Sequence, residues 1–261
     1  MLRYTLRRLI FALVTLVFAS MVIFAVTEIL PGDAAQLSLG VNAQEDTLAA
    51  KRKALGLDRP AYERYASWVT GFVQGDLGRS YTYDVPVSEL MGGRLWVSLP
   101  LALLALVLST IIAIPIGVFA ASRRGSFSDF SIMGVTQLGV AVPNFWLALL
   151  LVIWFALTWR LLPAGGFPGW DAGLWPAFKA LILPAFALAL PQASILARVM
   201  RSSLLDVLGE DYMRLARAKG LPRRHVLWRH GVRNALIPVL TIMGLQIAFH
   251  IAGTIINENI I

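Results

Sequence analysis

The chain has 261 residues, 57% hydrophobic and 15% charged, with a mean hydropathy of +0.70, whereas soluble domains carry about 25% charged residues. That balance places it in a membrane and excludes intrinsic disorder and a basic nucleic-acid-binding domain, while the absence of cysteine excludes a disulfide scaffold, thiol redox chemistry and thiolate metal sites. The net charge of +8 therefore has to be read from where the charges fall, because Lys and Arg collect in cytoplasmic loops.

Windows nearly free of charge mark five spans, since crossing about 30 Å of hydrocarbon takes roughly 20 apolar residues. They run from Leu9 to Leu30, Leu95 to Ala121, Phe130 to Trp159, Ala180 to Ala197 and Asn234 to Asn257. The second and third exceed one crossing, so tilt or kinks are expected. Pro184 and Pro191 predict a kinked fourth span. Arg3, Arg7 and Arg8 precede the first window without a cleavage site after it, which predicts a retained anchor with its N-terminus in the cytoplasm. On that orientation the cytoplasmic side also holds Arg123, Arg124, Arg198, Arg201, Arg214, Arg217, Lys219, Arg223, Arg224, Arg229 and Arg233, against the acids Asp129, Asp206, Glu210 and Asp211. The positive charge is thus topological, and no nucleic acid is needed to account for it.

The expected architecture is an all-α polytopic membrane bundle: an anchor span over 1–30, a small external domain over 31–94, and a transmembrane core over 95–261 with a cytoplasmic loop at 198–233. In the external domain, Thr47 to Leu55 reads as a helix closed by Gly56, and Arg59-Pro60 starts another with Tyr62, Tyr65, Ala66 and Val69 on one face. Gly75-Asp76-Leu77-Gly78 reads as a tight turn. In the cytoplasmic loop, Glu210 and Asp211 start a short amphipathic helix with Tyr212, Leu215, Ala216 and Lys219 on one face, and Gly220 and Pro222 stop it. Such a helix rests on anionic membrane lipid through Arg214, Arg217, Arg223 and Arg224, or it fits into another subunit.

The run Glu210-Asp211-Tyr212-Met213-Arg214-Leu215-Ala216-Arg217-Ala218-Lys219-Gly220-Leu221, followed by Arg229-His230-Gly231-Val232-Arg233-Asn234-Ala235-Leu236-Ile237-Pro238, resembles the EAA loop of ABC importer permeases of the dipeptide/oligopeptide/nickel family. Arg214 stands where the general pattern has Glu, a departure shared by the peptide branch. Leu30-Pro31-Gly32-Asp33, Leu55-Gly56-Leu57-Asp58-Arg59-Pro60, Gly75-Asp76-Leu77-Gly78-Arg79-Ser80 and Pro143-Asn144-Phe145-Trp146 extend the likeness along the chain. The resemblance implies six spans, of which the windows give five. It also implies a second homologous permease, two ATP-binding subunits, an external solute-binding protein, and an ATPase-coupling role for Tyr212, Arg214, Ala216, Arg217, Ala218, Lys219 and Gly220.

The chain has no G-x-x-x-x-G-K-[ST], so ATP and Mg belong on the partner subunits and no cofactor is expected on this chain. Glu28 is the one acid inside the windows, unlike the buried relays of proton-driven carriers. Gln137, Asn144, Gln192, Gln246 and His250 are the candidates for a polar substrate pathway, with packing between helices as the other role open to them. His225 and His230 lack the cysteine pair of a zinc site. A stand-alone channel or secondary carrier is the alternative class. An intramembrane enzyme would need a nucleophile with its base, which the sequence does not offer.

Overall fold

The computed structural model describes residues 2–29, 33–40, 44–80 and 83–257. The chain divides into two compact units, Met1–Arg94 and Leu95–Ile261.

In the first unit, α1 (Leu2–Ile29) carries no charge between Leu9 and Thr27, and Leu9, Phe11, Leu16, Phe18 and Ile23 are all exposed. At 1.5 Å per residue its 28 residues span about 42 Å, enough to cross the hydrocarbon. One side of its distal half meets α4 (Ala61–Val73). There Ser20 Oγ and Tyr65 OH share a hydrogen bond of 2.8 Å, the Phe24 and Tyr65 rings lie 5.3 Å apart, and Arg64 pairs with Glu28. Tyr65, Trp68 and Phe72 continue as a row of rings along α4. Of the face expected from spacing, Tyr65 makes this contact and Val69 is half-buried, whereas Tyr62 and Ala66 are exposed. Glu28 and Phe24 offer a charge and a ring, and Arg64 and Tyr65 are the α4 residues that answer them.

The Asp33 carboxylate caps α2 (Ala34–Leu39), accepting from the Gln36 amide at 2.9 Å, and pairs with Arg52 of α3 (Glu45–Ala54). The end of α3 closes as expected: Gly56 has φ +67°, and the amides of Gly56 and Leu57 donate to the carbonyls of Lys53 and Arg52. α4 closes the same way, with Gly75 at φ +87° and its amide and that of Asp76 donating to Phe72 and Gly71. Of the matched motifs, Leu30-Pro31-Gly32 lies outside the described residues.

The second unit is built on α8 (Leu174–Gly209), a 36-residue helix. Around it stand α5 (Val87–Ser122), α6 (Phe127–Ala141), α7 (Asn144–Leu151) continued by a π-helical segment Val152–Thr158, and α11 (Arg233–Asn257). The core is made of small side chains. Ala113, Ala121, Ala193, Ala197 and Ala235 join Leu196, Met200, Leu204 and Val239 in one buried cluster, and Leu101, Ala105, Leu181, Ala185 and Leu188 form a second. Lipid gives apolar side chains no reason to hide, so close backbone approach and van der Waals contact hold such helices together. At Gly117 α5 comes hard against the α8 backbone, since a Cβ there would stand 2.7 Å from both the Ala197 carbonyl oxygen and Met200 Cβ.

Among the described residues, α1, α5 and α8 are long and apolar enough to cross a membrane, and the bent pair α6–α7 brings the number to four if it is one span. The third window is therefore not a straight crossing: the chain turns through 99° between α6 and α7. Pro143 cannot donate to the α6 ladder and pushes Val142 into an extended conformation, ψ 124°. The fourth window lies wholly inside α8, which runs unbroken through Pro184 and Pro191. α11 covers the fifth window, and its side chains beyond Ile247 lie outside the described residues. A short 3-10 turn, Trp170–Ala172, precedes α8, and its Trp170 indole N–H donates to the Trp96 carbonyl at 2.9 Å.

Candidate functional site

The amphipathic helix forms as α9 (Asp211–Ala218), separated from α8 by one extended residue, Glu210. Glu210 accepts the Met213 and Arg214 amides through its carbonyl. Gly220, at φ +78°, closes the other end, its amide donating to the Arg217 carbonyl at 3.0 Å. This left-handed geometry strains most residues with a Cβ, β-branched ones above all. No atom lies within 4 Å of a Cβ built there, so the constraint is conformational and not steric.

Three contacts fix α9 on the bundle. Met213 is fully buried beneath Gly231 and beside Leu204, since a Cβ at Gly231 would lie 3.1 Å from Leu204 Cδ1 and 3.5 Å from Met213 Cε. Arg217 donates from Nη2 to the Leu208 carbonyl at the end of α8, 3.1 Å, and from Nε to the Met213 carbonyl, 3.2 Å. Asn234 Nδ2, at the start of α11, donates to Tyr212 OH at 2.9 Å. The returning chain passes through α10 (Arg223–His225) and a π-helical segment, Val226–Val232, whose wider turn places Gly231 under Met213. Such segments recur at functional sites. His225 and His230 stand edge to face, 6.2 Å apart.

Arg214, Leu215, Ala218 and Lys219 are exposed, as is Tyr212 apart from its hydroxyl contact with Asn234, and Ala216 is half-buried. Leu215 is 57% exposed, an apolar side chain amid cations. Arg214 lies 3.4 Å from Asp211 with both side chains open to solvent, a pair that contributes little. The face expected from spacing thus divides: Leu215 and Lys219 are exposed, while Tyr212 is tied to Asn234 and Ala216 is half-buried. The residue that anchors the helix, Met213, went unrecognised, although its three-residue step to Ala216 carries the signal.

A second polar contact, also missed, lies between α6 and α8. Asp129, 4% exposed, receives Arg201 on both oxygens at 2.6 Å. It also accepts the Gly125 amide at 3.0 Å while its own amide donates to Ser126 Oγ, a capping arrangement at the head of α6. Nearby, Arg198 donates to Gln137 Oε1 at 2.7 Å. Opposite charges 72 residues apart are the signal in the sequence, and no local pattern joins them.

The pathway candidates differ in their surroundings. Gln137 is taken by Arg198, Asn144 is exposed at the start of α7, and Gln192 is half-buried in α8. Gln246 is 4% exposed, and neither atom of its amide has a hydrogen-bond partner among the described residues. The side chain of His250 lies outside them.

Membrane-length helices, with a short amphipathic helix held against the end of α8, define a polytopic membrane protein. Residues 113–261 match the family described as binding-protein-dependent transport system inner membrane component, and residues 1–102 match its N-terminal counterpart. The chain is 35% identical over its whole length to 84% of the dipeptide transport system permease protein DppB of Escherichia coli K12. It is 37% identical, again over its whole length, to 82% of the glutathione transport system permease protein GsiC of Salmonella choleraesuis. Over 98% of its length it is 40% identical to 81% of a putative peptide transport system permease protein of Brucella suis. The chain belongs to the family of inner membrane components of binding-protein-dependent transport systems. It is a multi-pass permease subunit of an ABC importer, a class that works with a binding protein and an ATPase.

Proposed function

We propose that this permease carries peptides or related small solutes, nickel chelates among them, into the cytoplasm. It does so as one of two homologous permeases served by two ATP-binding subunits and an external solute-binding protein. The carrying observation is α9: an exposed face of Tyr212, Arg214, Leu215 and Lys219 on a helix made rigid by the buried Met213 and the Arg217 clasp. Such a face suits a groove on an ATPase, and the rigid seat would pass a rigid-body movement to α8. The relatives, named for dipeptide, glutathione and peptide transport, support the substrate class. ATP and Mg then reside on the partner subunits, and this chain performs no hydrolysis itself. The arginines of 198–233 and the Arg3, Arg7, Arg8 cluster support a cytoplasmic N-terminus and a cytoplasmic α9.

Reconstitution in liposomes tests the reading. The purified chain alone, given external peptide with or without a proton gradient, is expected to accumulate nothing. Adding the partner permease, the ATP-binding subunits, the binding protein and ATP is expected to drive uptake. Accumulation by the chain alone would overturn the proposal in favour of a secondary carrier.

A further inference from the structure

The coupling helix and the broken helix α6–α7 lie on opposite ends of a continuous mechanical path, and the Asp129–Arg201 pair is its one charged joint among the described residues. α9 is held to the end of α8 by Arg217 on the Leu208 carbonyl and by Met213 against Leu204. Two turns back along α8, Arg201 grips the buried Asp129 through two parallel hydrogen bonds of 2.6 Å, and Asp129 is locked to the head of α6 by the Gly125 amide and Ser126. Further along the same contact Arg198 holds Gln137, and Gly139 lies directly against Ser194. α6 then ends at the 99° break before α7.

We infer that Asp129 and Arg201 are positioning residues for energy coupling: they make α6 move with α8, so that a displacement of α9 reaches the break at Val142-Pro143. A bidentate carboxylate–guanidinium pair suits this role because its two bonds fix orientation as well as distance. An apolar contact in lipid could slide. This inference rests on the importer reading above and extends it to residues outside the docking helix.

The test uses the complete importer in proteoliposomes, permease with its partner subunits and binding protein. Wild-type uptake checks the importer reading by itself, so its failure and the failure of this inference show in different samples. Asp129→Asn and Arg201→Lys are expected to assemble and to retain basal ATP hydrolysis. Uptake per ATP is expected to fall roughly tenfold, within the usual range of energetic coupling between sites. The chain has no cysteine, and a Cβ at 139 would lie 3.3 Å from Ser194 Cβ, near the spacing of a disulfide. Gly139→Cys with Ser194→Cys can therefore replace the ionic joint by a covalent one in the Asp129→Asn background. Oxidation is expected to restore uptake per ATP and reduction to abolish it again, a response that a merely structural ion pair would not give. Wild-type uptake per ATP in both single variants overturns the inference, as does uncoupling that oxidation leaves unchanged. Loss of the assembled complex in both single variants makes the pair a folding element and overturns it as well.

Discussion

At the scale of single residues, the bundle depends on atoms that are missing. Gly117 lets α5 approach α8 until a Cβ would meet a backbone carbonyl at 2.7 Å, and a backbone atom cannot swing away as a side-chain tip can. Gly117→Ala is therefore expected to lower stability by about 1–3 kcal/mol through overpacking, read as a lower Tm in detergent. Gly231, whose nearest neighbours are the flexible ends of Leu204 and Met213, should tolerate the same change better. Outside the spans, the Gln36 amide and the Arg52 guanidinium hold the Asp33 carboxyl below its ordinary value of 3.8. A carboxylate whose folded value is depressed contributes stability that is present above its unfolded value and is lost as pH falls through the folded one. Hydrogen-exchange protection of α2 is accordingly expected to drop below about pH 4, and Asp33→Asn should remove that dependence. Protection that falls equally in both would refute the assignment.

At the scale of elements, α9 shows how a short helix is held in place. Eight residues are too few to be stable alone in water, so its order comes from the Gly220 closure and from the Met213 seat. Gly220→Val forces a β-branched residue into a left-handed position. The expected result is loss of peptide uptake with an intact transmembrane core, whereas Gly220→Asn, which tolerates that geometry, should retain most of it. Uptake and ATPase stimulation unchanged in Gly220→Val would count against α9 as the coupling helix. The prolines make a second lesson. Pro100, Pro115, Pro184, Pro191 and Pro238 all lie inside helices, while Pro143 stands at the 99° break between α6 and α7. Neighbouring helices can re-satisfy the groups a proline frees, which is why a proline by itself does not announce a break.

At the scale of the whole molecule, orientation decides which surfaces meet which partners. Ser67 in α4 and Ser202 in α8 are both exposed, and the natural chain has no competing thiol. In Ser67→Cys an impermeant reagent added from outside is expected to label, and in Ser202→Cys it is not. The reverse pattern would invert the topology and move α9 away from any cytoplasmic ATPase.

What the sequence determined by itself is whatever rests on composition and local codes. The apolar windows announced a membrane protein, Glu210, Gly220 and Pro222 marked the ends of α9, and Gly56 closed α3, because desolvation and backbone strain act within a few residues. The motifs around Tyr212 to Gly220 also pointed to the family before any fold was known. Which face of α4 meets α1, which side of α9 is seated, where the third window breaks, and the union of Asp129 with Arg201 were decided only in three dimensions. In lipid an apolar side chain gains little from being buried, so hydrophobic patterning does not say which face of a spanning helix packs. That choice falls to close approach at residues such as Gly117 and to polar partners far apart in the chain, and both exist only once the helices have met.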